Sequence, residues 1–191
     1  MSEPHDVEYL EVSPVVDVRL ARTTDVPRIR RLVDLYAPDR RLLSKATVAL
    51  YEAVPEFLVA ELGHLDGEAE GDSGVTREVV GCGALHVMWE DLAEVRTLAV
   101  DPALVGQGIG RELLLALLER ARDLGVRRVF VLTFETGFFG RVGFREIEGL
   151  PVSREVFGEL MRSPDEGIAE FLDIERVKPN TLGNSRMLLR L

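Results

Sequence analysis

Apolar and polar positions recur along most of this chain with spacings that divide it into strands and helices. Val15 to Ala21 (VVDVRLA) alternates with period two and predicts a first strand. Thr23-Thr24-Asp25 offers an N-cap with Pro27 in the first turn, opening a helix through Ile29, Leu32, Val33 and Tyr36 that Pro38 ends. A second helix is expected from Ser44 to Ala53 and a strand from Glu56 to Leu62. His64 to Arg77 is polar and rich in Gly, Asp and Glu, and reads as a surface hairpin loop. Two strands follow, Glu78 to Trp89 and Ala93 to Val100, joined at Glu90-Asp91.

Ile109, Leu113, Leu114, Leu117, Leu118 and Ala121 then recur three and four apart, one apolar face of a long helix, with Gly125 where a left-handed cap is expected. Arg128 to Phe134 reads as a buried strand, Thr136 to Val142 as a short helix and Gly143 to Ile147 as a strand. Ser153 to Met161 predicts a further helix, and Ser185 to Leu191 the last strand. This order gives an α/β chain with one domain over residues 15–191. An acidic, aperiodic, mobile arm is expected over 1–14, and a C-terminal extension over 151–184 before the closing strand 185–191.

Between the strand ending at Val100 and the long helix lies Gly106-Gln107-Gly108-Ile109-Gly110. Glycines at a helix start let backbone N–H groups approach an anion closely, and the helix dipole adds positive potential there. The loop is a pyrophosphate cradle without a Walker lysine; taken alone, so short a motif equally makes a tight turn.

Composition narrows the classes. At 191 residues, 46% hydrophobic and 29% charged, the chain has the balance of one globular domain. A net charge of −10 leaves no electrostatic footprint for nucleic acid. No apolar run reaches the ~20 residues of a membrane span. The single cysteine, Cys82, excludes an intramolecular disulfide, suits a reducing cytoplasm, and between Gly81 and Gly83 reads as a small core residue. The three histidines, His5, His64 and His86, lack cysteine partners at ligand spacing, so no metal is expected.

The segment Glu94 to Gly125 resembles motif A of the GNAT superfamily of N-acetyltransferases, Gln/Arg-x-x-Gly-x-Gly/Ala after a strand. Val105 stands at the first position, which a cradle of main-chain amides tolerates. The resemblance implies acetyl-CoA as co-substrate, its pyrophosphate held by Gly106, Gln107, Gly108, Ile109, Gly110 and Arg111. It also implies a mixed, mostly antiparallel sheet, splayed where Glu94–Val100 and Arg128–Phe134 part. There Leu98 and Val100 would bind the pantetheine through their main chain, the Leu98 N–H polarising the thioester carbonyl. Glu94 matches the position of a glutamate base, against a plainer reading as a solvated strand end; Glu90 and Asp91 are weaker candidates. Many GNAT enzymes carry a tyrosine as general acid four residues before a Gly-Phe pair. Here Phe139 holds that place before Gly143-Phe144 and cannot donate a proton. Phe139 is expected against the CoA arm or the core, leaving water or another side chain to protonate the thiolate.

The segments VFVLTFETGFFGRVGF, EIEGLP and NSRMLL are similar to the acetyltransferase domain of short, stand-alone N-acetylglutamate synthases. That likeness implies L-glutamate, or glutamine, as the amino-acid acceptor at the head of arginine biosynthesis. A dicarboxylate acceptor calls for cationic and hydroxyl ligands, and the candidates are Lys45, Arg96, Arg128, Ser185 and Arg186. Each also reads as an ion-paired surface residue. His86 could line the cleft or be a satisfied, partly buried histidine. The alternatives are a GNAT acetyltransferase for another amino acid, a small amine or a protein N-terminus, and a non-catalytic acyl-CoA-binding module. A homodimer stays open, with the extension either closing over the cleft or forming the dimer contact.

Overall fold

The computed structural model describes residues 16–36, 46–65, 75–172 and 183–191. The expected N-terminal arm, Lys45 and the proposed cap Ser44 lie outside these residues. Seven strands form one sheet in the order β1-β2-β3-β4-β5-β7-β6: β1 Val16–Leu20, β2 Phe57–Leu65, β3 Val75–Trp89, β4 Leu92–Val100, β5 Arg128–Thr133, β6 Arg145–Glu146 and β7 Ser185–Arg190. Among the described residues only β4 and β5 are parallel neighbours; the other pairs are antiparallel. The helices are α1 Val26–Tyr36, α2 Thr47–Glu52, α3 Ile109–Asp123, α4 Thr136–Val142, α5 Arg154–Leu160 and α6 Glu166–Phe171.

The apolar face read from α3 is the buried one: Ile109, Leu113, Leu114, Leu117, Leu118 and Ala121 are all within 2% of full burial. They pack with Ala93, Val95, Val129 and Val131 on one side of the sheet. Gly125 ends the helix with φ 80°, the left-handed geometry that glycine adopts without a Cβ penalty. On the other side of the sheet, Ile29, Leu32 and Val33 of α1 meet Phe57, Val59 and Ala99. A third cluster joins Leu92 and Phe130 to Leu160, Ile168, Phe171 and Leu172 of the extension. Phe130 and Phe171 make an edge-to-face pair at 4.8 Å.

Three expectations change. Residues 64, 65 and 75–77, placed in a surface loop, extend β2 and β3 as paired strand. Ladder hydrogen bonds are made by the backbone, so the pairing continues into a stretch whose polar side chains show no strand pattern. The strand expected over Gly143–Ile147 pairs only at Arg145 and Glu146, since Gly143 at φ 109° is occupied in ending α4. The extension holds a second helix, α6, that no periodicity announced; six residues are too few to show one.

Candidate active site

The site follows from a change of phase halfway along β4. Leu92, Glu94 and Arg96 alternate onto one face, with Leu92 packing on the extension, while Ala93 and Val95 pack against α3. In the β3–β4 ladder, Cys82 faces Ala99 and Ala84 faces Arg96, so Gly83 alone faces both Thr97 and Leu98. Thr97 takes φ 55°, costly for a β-branched residue by about 1–2 kcal/mol. One extra residue exchanges the two faces. Beyond it, Leu98 and Val100 pack on the α3 side and Ala99 on the α1 side. The bulge therefore separates a charged half of β4 from an apolar half.

At that junction the sheet opens. β4 and β5 pair only through Leu92–Arg128, Ala93–Val129 and Glu94–Phe130. From Val95 onward the β5-facing edge of β4 has no strand partner among the described residues, which leaves a row of backbone donors and acceptors. Tyr36 donates from its hydroxyl to the Val100 carbonyl at 2.6 Å, tying the end of β4 to α1.

The glycine loop sits at the outer end of β4. Gly106 and Gly108 take φ 92° and 86°, and the space a Cβ would enter at either is empty. The amides of Gln107, Arg111 and Glu112 bond to Leu104 and Gly108 carbonyls. Those of Gly108, Ile109 and Gly110 meet no acceptor among the described residues. Three unclaimed N–H groups at the positive end of a 15-residue helix suit a diphosphate. Gly110 packs under Val100 and Phe138, 3.5 and 3.7 Å from where its Cβ would lie. Arg111 is exposed and pairs with Glu112 at 3.4 Å. Phe139 is 4% exposed and edge-to-face with Phe138 and Phe144, inside the core.

On the charged half, Glu94 is 5% exposed. Its Oε2 accepts from Arg96 Nε at 2.7 Å. Burial pushes its carboxyl up, against the opposing pull of Arg96. Arg96 also donates from Nη1 and Nη2 to Asp165 at 3.1 and 2.8 Å. Burial works to raise Asp165, but the bonds and charge of Arg96 outweigh it and hold that carboxyl at about 2. Asp165 further accepts the Ile168 amide at 2.9 Å, capping the start of α6. A Cβ on Gly167 would lie 2.6 Å from Arg96 Nη2, so the extension rests directly on this guanidinium. His86, across the ladder from Glu94, bonds through Nδ1 to Glu56 at 2.7 Å.

The remaining sequence candidates spread out. Arg128 stands at the closed end of the β4–β5 ladder, held in a fork by Asp91 at 2.9 Å and by the Pro151 carbonyl. Ser185 begins β7 opposite Thr133, and Arg186 donates to the Phe171 carbonyl at 2.7 Å. Cys82 is fully buried, its thiol pushed up to about 12 by desolvation. Among the described residues no cluster of His, Cys, Asp or Glu could hold a metal, and no helix is long and apolar enough to cross a membrane. Sequence reasoning missed Asp165, Tyr36 and the Thr97 bulge. Asp165 follows Ser-Pro before a Glu-Gly pair, a signal for a turn and not for a site.

Residues 30–144 match the sequence pattern of the Acetyltransferase (GNAT) family. The chain belongs to the GNAT family of acetyltransferases. An amino-acid acetyltransferase of Mycobacterium tuberculosis is 61% identical over 174 residues, which cover 91% of this chain and 94% of that protein. A crystal structure of a Mycobacterium tuberculosis protein in complex with CoA and a second ligand superposes with a TM-score of 0.80 at 59% identity, covering 92% of this chain and 99% of that one. The amino-acid acetyltransferase of Neisseria meningitidis is 32% identical over 132 residues, and the matched region spans only 27% of its length. N-acetylglutamate synthase from Neisseria gonorrhoeae, complexed with coenzyme A and N-acetyl-glutamate, shares the fold with a TM-score of 0.67 at 24% identity. The splayed parallel pair and the glycine loop are thus the frame of a GNAT enzyme.

Proposed function

We propose that this GNAT enzyme transfers the acetyl group of acetyl-CoA to the α-amine of L-glutamate, or of glutamine, by direct attack within a ternary complex. The observation that carries the reading is the split between β4 and β5, with a buried carboxylate at its apex and unclaimed amides at its mouth. The close similarity to an amino-acid acetyltransferase supports the acceptor class.

Acetyl-CoA supplies the thioester carbon that the amine attacks. The loop amides hold the diphosphate, and the open edge of β4 takes the extended arm, the Leu98 N–H donating to the thioester oxygen. A backbone donor aimed at a developing oxyanion contributes ~3 kcal/mol. Glu94 takes the ammonium proton directly or through one water, and its raised pKa strengthens it as a base. The new bond joins the amine nitrogen to the carbonyl carbon, and the carbon–sulfur bond breaks. Phe139 has no proton to give the thiolate, so water supplies it. Ser185, Arg186 and Lys45 serve the acceptor's carboxylates; Arg128, already held by Asp91 and Pro151, contributes to that site less directly. Arg96 is engaged by Glu94 and Asp165 and acts on the base more than on the acceptor. We place the chain as a single cytoplasmic acetyltransferase domain over 15–191, with homodimerisation through the extension as the assembly to check.

A free-thiol assay with glutamate, glutamine, aspartate, ornithine and spermine tests the reading. CoA release that depends on glutamate or glutamine and vanishes in Gly108→Trp is the expected result. Release with another amine alone overturns the acceptor. Silence across the panel with acetyl-CoA still bound overturns turnover and favours a binding module.

A further inference from the structure

Arg96 is shared between two carboxylates that belong to different parts of the chain. Glu94 lies on the same strand, whereas Asp165 comes from the extension. The Arg96 side chain is only 10% exposed, so water does little to screen it and its charge needs a protein counter-ion. While Glu94 is ionised, both carboxylates serve. Once Glu94 holds a proton from the acceptor, only Asp165 balances the guanidinium.

We propose that Asp165 is a positioning residue that acts through Arg96 to keep Glu94 strong enough as a base for the acceptor's ammonium proton. The inference rests on the reading of Glu94 as that base. Among the described residues, the charged and titratable groups that face Glu94 are Arg96 on its own strand, Asp165 on the extension and His86 on β3, which bonds to Glu56 in the turn before β2. Of these, Asp165 is the one that draws Arg96 away from Glu94. Its fork fixes Nη1 and Nη2, leaving Nε alone for Glu94. With the negative charge at 165 removed, the whole guanidinium charge falls on Glu94 and weakens it. The extension is thereby part of the catalytic apparatus, reaching the reacting proton through one arginine. Gly167 fits this role, since any side chain there would displace the guanidinium.

The test is Asp165→Asn, which keeps an oxygen for the Ile168 amide and loses the charge. The acid limb of the pH profile of kcat/KM for the acceptor should move about one unit lower. The rate at the plateau should fall severalfold, by at most about tenfold, as the base weakens, with Kd for acetyl-CoA unchanged. Asp165→Glu should restore the wild-type limb. Titration of Glu94 by 13C NMR in glutamate-labelled protein should show the same downward movement without any acceptor present. An unmoved limb and an unmoved Glu94 titration in folded protein overturn the proposal, while glutamate turnover would leave the proposed reaction standing. If wild-type protein turns over no amino acid, the proposed reaction fails, and the Glu94 titration alone decides whether Asp165 tunes that carboxyl. Asp165→Ser, an uncharged helix cap, replaces the asparagine variant should that one not fold.

Discussion

Glu94 and Gly108 illustrate the two kinds of work single residues do here. Glu94 is buried, raised by desolvation and hydrogen-bonded to Arg96, so Glu94→Gln keeps the shape and removes the proton acceptor. We expect kcat to fall by at least about a hundredfold, with acetyl-CoA affinity unaltered in calorimetry. Equal kcat would remove Glu94 from the mechanism. If Glu94 is the base, as proposed, it acts in its ionised form, and activity should rise with pH through a value above the ordinary glutamate range. Gly108 acts through its backbone. A methyl group there meets empty space, but φ 86° costs a non-glycine residue about 1 kcal/mol. Gly108→Ala should lower stability by that amount in urea melts and raise KM for acetyl-CoA, since the added Cβ enters the anion's space. The sequence singles out both residues, Gly108 from a glycine pattern at a helix start and Glu94 through the GNAT resemblance. Asp165 was not, because its meaning depends on a contact across 69 positions that no local pattern encodes.

Among the elements, α3 and β4 show how far periodicity reaches. The six apolar positions of α3 identified its buried face without error, as burial at helical spacing is a local property. Ala93 to Val100 reads as one uninterrupted strand, yet the bulge at Thr97 exchanges its faces, and a bulge is set by the partner strand as much as by its own residues. The sequence predicts one helix within the extension, Ser153 to Met161, whereas its described residues hold two short ones that close the third core cluster. Gly167→Ala tests how tightly α6 seats. Its Cβ would lie 2.6 Å from Arg96 Nη2, so either Arg96 or α6 must shift, and we expect Arg96 to do so. The variant should lose kcat while binding acetyl-CoA normally, and unchanged turnover would mean that α6 yields instead.

Across the molecule, three arginine-paired carboxylates set the response to acid. Asp25 is bonded to Arg19, Asp91 to Arg128 and Asp165 to Arg96, and each is held below its ordinary value. A carboxyl lowered by folding contributes stability above the unfolded pKa of about 3.9 and loses it as pH falls through the folded value, about 2 for Asp165. Urea midpoints should therefore drop steeply below pH ~4, while Glu94, raised in the fold, gives an opposing loss as pH rises through its folded value. Asp165→Asn should flatten part of that drop; an identical slope would show that this pair contributes little.

The order of strands has a consequence for how the protein is made. β7 lies between β5 and β6 in the sheet yet comes after the whole extension in the chain. Until it docks, β5 keeps a bare edge along Val129, Phe130 and Val131, and β6 has nothing to pair with. Such long-range pairing forms slowly, and an uncovered apolar edge invites pairing with other chains. During synthesis the half of the sheet that carries the donor cleft can close early. The half beyond β5 waits for the last strand to arrive, and a chain released before Ser185 should aggregate through β5.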